Sequence, residues 1–139
     1  MSVITEFFED DHRRLDRLFE QFQAANDHAK QTLFNEFQLG LLKHIDWEEN
    51  LLFPAVEQAA GFPAQAGPTH VMRIEHEQIK QCLALIANML AEHKNSSVVE
   101  ARLLDILAEH NVKEERILYP TSDNTIAKPD AEALIMACR

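Results

Sequence analysis

The chain has 139 residues, enough for one domain with a single core and too few for two ordinary domains. It carries 13 Lys and Arg against 23 Asp and Glu, a formal net charge of −10, which argues against nucleic acid and anionic membranes as partners because both are bound through basic surfaces. Three Gly and five Pro are few for an all-β fold, and an apolar content of 46% is typical of a globular chain.

Four long segments with helical periodicity follow one another along the chain. In each segment inward-facing residues recur at alternating steps of four and three, which predicts an amphipathic helix. The segments run from about Val3 to Ala25, Ala29 to Ala60, Thr69 to Lys94 and Val98 to Tyr119. Pro54 lies inside the second segment, so this helix is expected to bend or end there.

Helices of this length joined by short loops predict an all-α fold, an up-down-up-down antiparallel four-helix bundle. We expect residues 1–120 to form the bundle. Residues 121–139 are then a C-terminal tail that can form a short helix packed on it. The inward-facing residues of each segment form one stripe along its helix, and the stripe of the fourth segment is expected to include Ile117 together with Val99, Leu103 and Ile106.

A repeat relates the two halves of the chain. The segment Leu41–Pro54, LLKHIDWEENLLFP, aligns with Leu107–Pro120, LAEHNVKEERILYP, at a constant shift of 66 residues. The pair Asp11-His12 matches Glu75-His76 more weakly, at a shift of 64. The repeat predicts a duplicated helical hairpin, with its two halves related by a pseudo-twofold axis.

Each inward stripe contains one histidine, and two stripes contain a glutamate four residues later. The six residues are His12, His44, Glu48, His76, His110 and Glu114. Four residues turn a helix by about 400°, so a His and a Glu at this spacing share one face. The six side chains therefore meet in one core layer, where unpaired ionised carboxylates would cost more than a small domain's stability.

Two readings of this layer remain open. Bound divalent iron, manganese, zinc or copper would neutralise it, and a carboxylate from each of two helices can bridge two ions. The alternative is a layer of protonated histidines paired with the glutamates. Around the layer, Glu49 and Glu115 are either acceptors for histidine N–H groups or surface carboxylates, with the surface favoured. Trp47 and Tyr119 either flank the site or pack at its boundary, with boundary packing favoured.

The two HxxxE motifs, each preceded one helix earlier by a histidine that follows an acidic residue, resemble the hemerythrin-like HHE domain family over residues 5–120. The resemblance implies a four-helix bundle holding a non-haem di-iron centre, with two iron ions, terminal histidines and two bridging carboxylates. Carried onto this chain, it implies the following ligands: His12 and His44 for one iron, His76 and His110 for the other, and Glu48 and Glu114 as bridges.

The chain departs from the oxygen-carrying hemerythrins at two positions. Those proteins have HxxxH on the third helix, whereas Met72 lies four residues before His76 here. They also have HxxxxD where this chain has HxxxE. Both differences resemble bacterial subfamilies linked to nitric oxide handling, iron-centre repair or iron sensing. A missing ligand leaves open positions where water, O₂ or NO can bind.

We therefore expect a di-iron protein that binds a small diatomic gas ligand, O₂ or NO, for sensing, storage or detoxification. The alternatives are an NO or peroxide reductase, an iron-centre repair factor, and an iron-responsive folding module. A metal- and gas-binding protein is favoured over an enzyme, and the question of catalysis stays open.

Cysteine usage and the ends of the chain bear on its compartment. Cys82 and Cys138 form no CxxC, the first residues are acidic, and no apolar run approaches about 20 residues. These features predict a soluble, cytoplasmic protein. A homodimer is neither required nor forbidden by the net charge of −10.

Overall fold

The structure, a computed structural model, describes residues 2–139, and it is helical throughout, with no β-strand in that range. The helices are α1 (Val3–Ala24), α2 (Asp27–Trp47), α3 (Phe53–Ala60), α4 (Pro68–Ala91), α5 (Ser97–Lys113), α6 (Tyr119–Thr125) and α7 (Lys128–Ala137). Two five-residue π-helical turns, Glu48–Leu52 and Glu114–Leu118, join α2 to α3 and α5 to α6. Helix α1 packs on α2 and α4 on α5, so the predicted all-α bundle is confirmed.

Local chemistry explains where the helices begin and end. The Asn26 side chain accepts the backbone N–H of Ala29 at 3.1 Å and caps α2. Gly61 ends α3 with φ 76°, a left-handed conformation that an L residue adopts only with strain. Gly67 and Pro68 begin α4.

Two apolar clusters lie on either side of the histidine layer. The upper cluster is built mainly from Phe19, Phe22, Phe34, Phe37, Leu83 and Ile86. The lower cluster contains Ile4, Phe8, Leu52, Phe53, Val56, Met72, Leu118 and Tyr119. Together they bury the polar layer inside a bundle that is apolar above and below it.

The π-helical turns change the inward face of the second and fourth segments. Each turn contains one residue more than an α-helical turn, and each is followed at once by a proline-containing helix, Pro54 in one case and Pro120 in the other. The prediction that Ile117 points inward is therefore wrong: it is 58% exposed, and Leu118 is buried in its place. The second segment stays helical past Pro54, because α2 passes into the π-helical turn and then into α3, which has Pro54 in its first turn.

The last helices hold the ends of the chain against the bundle. Asp123 of α6 accepts hydrogen bonds from the backbone N–H groups of Ile4 and Thr5 at 2.8 and 3.0 Å, which caps α1. Helix α7 buries Ala131 and Leu134 in the lower cluster. None of the helices in the described part of the chain is long and apolar enough to cross a membrane.

Candidate metal centre

The six residues singled out in the sequence come together in one buried layer. His12 lies on α1, His44 on the last turn of α2, His76 on α4 and His110 on α5. Glu48 and Glu114 are the first residues of the two π-helical turns. All six are at most 4% exposed.

The layer divides into two half-sites that share both carboxylates. The first half-site contains His12, His44, Glu48 and Glu114, and the second contains His76, His110, Glu48 and Glu114. Within each, one donor atom from every residue lies within 4.8 Å of the others. His12 and His44 share one half-site and His76 and His110 the other, which makes each half-site a candidate site for one ion.

Each glutamate directs one oxygen into each half-site. Glu48 Oε2 lies 3.4 Å from His44 Nε2, and its Oε1 lies 3.1 Å from His76 Nε2. Glu114 Oε1 lies 3.2 Å from His12 Nε2, and its Oε2 lies 3.1 Å from His110 Nε2. This is the placement that two bridging carboxylates require.

The other ring nitrogen of every histidine faces a carboxylate outside the layer. The Nδ1 pairs are His12 with Glu115 at 2.7 Å, His44 with Asp11 at 2.8 Å, His76 with Glu49 at 2.7 Å and His110 with Glu75 at 2.8 Å. A carboxylate that accepts Nδ1–H fixes the ring orientation and leaves Nε2 as the donor toward the centre.

These outer carboxylates were only partly visible in the sequence. Glu49 and Glu115 were considered as acceptors, but the surface interpretation favoured for them is wrong, since both contact a buried histidine. Asp11 and Glu75 had been noted only as the acidic residues that precede His12 and His76. Asp11 instead contacts His44 and Glu75 contacts His110, in each case the histidine of the next helix. The recurrence of an acidic residue at positions 11 and 75, at a shift of 64, was the feature of the sequence that could have indicated this role.

Tyr119, for which the sequence favours boundary packing over a place beside the site, lies within the layer. It is completely buried, and its Oη donates to Glu48 Oε2 at 2.5 Å or to Glu114 Oε1 at 2.9 Å. The same oxygen lies 3.2 Å from His12 Nε2 and 3.4 Å from His44 Nε2. Boundary packing is therefore the wrong interpretation of Tyr119. Its counterpart in the repeat, Phe53, stacks on the His76 ring with 5.6 Å between ring centroids.

The charges in the layer stabilise one another. Burial disfavours the imidazolium of His44, but the charge of Glu48 and the hydrogen bond with Asp11 outweigh burial and raise its pKa to about 9. The same balance raises the pKa of His76 to about 9 and that of His110 to about 10. In Glu48, burial opposes ionisation, yet His44 holds the pKa of the carboxyl well below its usual value.

Hydrogen bonding leaves part of the layer unsatisfied. Within residues 2–139, Glu48 Oε1, His76 Nε2 and Glu114 Oε2 are buried without a hydrogen-bond partner. A buried polar atom in this condition costs about 1–3 kcal/mol, and such atoms are rare in native proteins. His76 Nε2 and Glu48 Oε1 are 3.1 Å apart but lack hydrogen-bond geometry. Unpaired imidazole and carboxylate atoms that lie this close together are the donors that a divalent ion requires, so the residues fit a metal centre.

A cavity of about 340 Å³ connects the layer with the surface. Its walls include Leu15, Phe19, Phe37, Leu41, Ile79 and Leu107, and its polar lining outside the layer includes Asp16, Glu20, Gln23 and Asn111. Met72, by contrast, lies in the lower cluster and is 4% exposed. A small molecule can therefore reach the layer from the side of the upper cluster.

Comparison with known proteins agrees with the geometry. The family model described as the hemerythrin HHE cation binding domain matches residues 3–122. An uncharacterised hemerythrin-like protein of Schizosaccharomyces pombe (strain 972 / ATCC 24843) is 27% identical over 138 residues, which is 99% of this chain and 66% of that protein. The chain thus spans just under two thirds of the length of this relative. No solved structure matches the chain.

Proposed function

The chain belongs to the hemerythrin HHE cation-binding domain family, and from that premise we propose that it is a non-haem di-iron protein whose centre binds a small diatomic ligand, O₂ or NO. The role that follows is gas sensing, storage or detoxification. The observation that carries the proposal is the sharing of Glu48 and Glu114 between two histidine pairs, because one oxygen of each carboxylate faces each pair.

The donor set suits iron and limits how many positions the protein fills. Each half-site offers two imidazole nitrogens and two carboxylate oxygens. Imidazole and carboxylate together suit divalent iron, and four protein donors leave room for an exogenous ligand on a six-coordinate ion. When bound, ferrous iron would supply the electrons and the open positions on which O₂ or NO binding depends.

The chain's own residues prepare the layer for that ligand. The outer carboxylates hold each imidazole with Nε2 directed inward, so little reorganisation is needed when an ion binds. The cavity gives neutral diatomic molecules a route to the layer past apolar walls. The lower cluster closes the opposite side of the layer.

The test is a gas titration of the protein loaded with ferrous iron without air, followed by optical spectroscopy. We expect saturable spectral changes with NO or O₂ that depend on both glutamates. A Glu48→Gln, Glu114→Gln variant, which retains the shape of both side chains, should lose the response. A loaded wild-type protein whose spectrum responds to neither gas would contradict the proposal.

A further inference from the structure

We propose that the Tyr119 oxygen is a fifth protein donor to the ion of the first half-site, so that the two ion positions are inequivalent. The inference rests on the proposed function, because it requires an ion in each half-site. It assigns to the second half-site the open position at which an exogenous ligand binds.

The Tyr119 oxygen lies among the donor atoms of the first half-site. Tyr119 Oη lies 2.5 Å from Glu48 Oε2, 2.9 Å from Glu114 Oε1, 3.2 Å from His12 Nε2 and 3.4 Å from His44 Nε2. Around a six-coordinate ion with bonds of about 2.1 Å, neighbouring donors are about 3.0 Å apart. The phenol oxygen thus has the spacing of a donor adjacent to all four others.

When His12 and His44 are neutral, hydrogen bonding alone does not account for the place of the Tyr119 oxygen. A phenol has one proton to donate, and its oxygen accepts only from groups that carry a proton. With the protons of His12 and His44 on Nδ1, where the outer carboxylates accept them, Tyr119 can donate to one of its four neighbouring atoms at a time and accept from none of them. A shared cation gives all five atoms the same partner.

The second half-site has no counterpart of the Tyr119 hydroxyl. Phe53 occupies the position in the repeat that corresponds to Tyr119, and its ring stacks on His76 with an interplanar angle of 12°. It offers no donor atom. The three unpaired atoms of the layer, Glu48 Oε1, His76 Nε2 and Glu114 Oε2, all belong to this second half-site. Five protein donors therefore face one ion and four face the other.

The coordination step changes one bond on the protein and involves no redox change. The Tyr119 O–H bond breaks, an oxygen–metal bond forms, and the proton is released to solvent. The charge of the ion compensates the phenolate, as it does for other protein ligands that lose a proton on binding.

The experiment uses the fact that Tyr119 is the sole tyrosine of the chain. The full-length protein is titrated with zinc, and the near-ultraviolet absorption of tyrosinate and the number of protons released are measured. A ferric-loaded sample is examined by resonance Raman spectroscopy for tyrosinate modes enhanced in a visible charge-transfer band. We expect one tyrosinate per chain in wild type, none in Tyr119→Phe, and one fewer proton released by that variant.

The repeat supplies a matched variant. Phe53→Tyr in the Tyr119→Phe background moves the phenol to the second half-site, and we expect the tyrosinate signal to return and the gas response to weaken. Tyr119→Phe alone should retain both ions, with one of the two binding steps weakened about 10- to 100-fold.

The possible failures are distinguishable. Two bound ions with no tyrosinate signal in wild type, and equal proton release by wild type and Tyr119→Phe, would overturn this inference and leave the proposed function standing. A wild-type protein that binds no metal would overturn both. If Phe53→Tyr does not fold, the comparison of wild type with Tyr119→Phe still decides the question.

Discussion

Replacing Glu48 by glutamine should weaken both ion positions at once. Glu48 Oε1 faces His76 and its Oε2 faces His44, so the variant removes one anionic donor from each half-site while keeping the size of the side chain. A histidine variant such as His76→Ala removes a donor from one half-site only. Simultaneous loss at both positions is therefore the signature of a bridging residue.

The size of the effect follows from the number of ligands lost. Substitution of a group that only orients a ligand costs about 10- to 100-fold in metal affinity, so loss of a charged ligand should cost at least about 100-fold for each ion. At about 1.4 kcal/mol per tenfold, the two ions together lose about 5–6 kcal/mol of binding free energy. The metal-free protein should also be destabilised by about 1–3 kcal/mol, since buried His44 and His76 each lose one anionic partner and keep the other, Asp11 or Glu49.

The assay is an anaerobic ferrous titration with iron quantification, together with thermal unfolding of the metal-free and loaded proteins. Glu36→Gln is the matched control, because Glu36 is exposed on α2, the helix that leads into the turn containing Glu48, and its replacement should leave both quantities unchanged. The reasoning is refuted if Glu48→Gln binds two ions with wild-type affinities, or if it weakens only one of them.

Three further predictions concern the surroundings of the layer. Above pH 7 the metal-free protein should lose thermal stability, because folding raises the pKa values of His44 and His110 from 6.5 to about 9 and about 10. Their imidazolium forms stabilise the fold fully below pH 6.5, and this stabilisation is lost as the pH rises through 9 to 10. A melting temperature in EDTA that is constant or rises from pH 7 to 10 would contradict this. Asp11→Ala should weaken metal binding about 10- to 100-fold, because His44 loses the carboxylate that accepts its Nδ1–H. Asp10→Ala, which changes the exposed neighbouring residue, is the control in the same titration. Equal affinities of the two variants would count against a role of Asp11 in metal binding. Leu107→Trp should slow the NO-dependent spectral change in stopped-flow measurements without altering the iron content, because the larger side chain narrows the cavity. An unchanged rate would exclude this cavity as the route of NO to the layer.

The sequence predicted the parts of the fold that depend on periodicity. The stripe of α1 is buried as expected, from Phe8 through His12 to Phe22, because an uninterrupted α-helix keeps its register over many turns. The register was lost at the π-helical turns, where one extra residue moved Ile117 outward and Leu118 inward. Nothing in the local pattern marks such a turn except the proline that follows it.

The centre was predictable to the extent that it repeats. Histidines and glutamates at fixed spacing on inward stripes indicated the layer, since a buried charge needs a partner. The sequence favours boundary packing for Tyr119 because the residue at its position in the other half of the repeat, Phe53, is a similar aromatic side chain without a hydroxyl. Only the packing shows that its hydroxyl faces four donor atoms while the Phe53 ring faces His76. The partners of Asp11 and Glu75 lie on neighbouring helices, which sequence spacing along one helix does not reveal.

The most direct test of the account is the number of ferrous ions bound per chain, measured by anaerobic titration with iron quantification of the full-length protein. The account predicts two ions per wild-type chain, both weakened when Glu48 or Glu114 is replaced by glutamine. Binding of a single ion, or of none, would contradict a centre built from two half-sites that share both carboxylates.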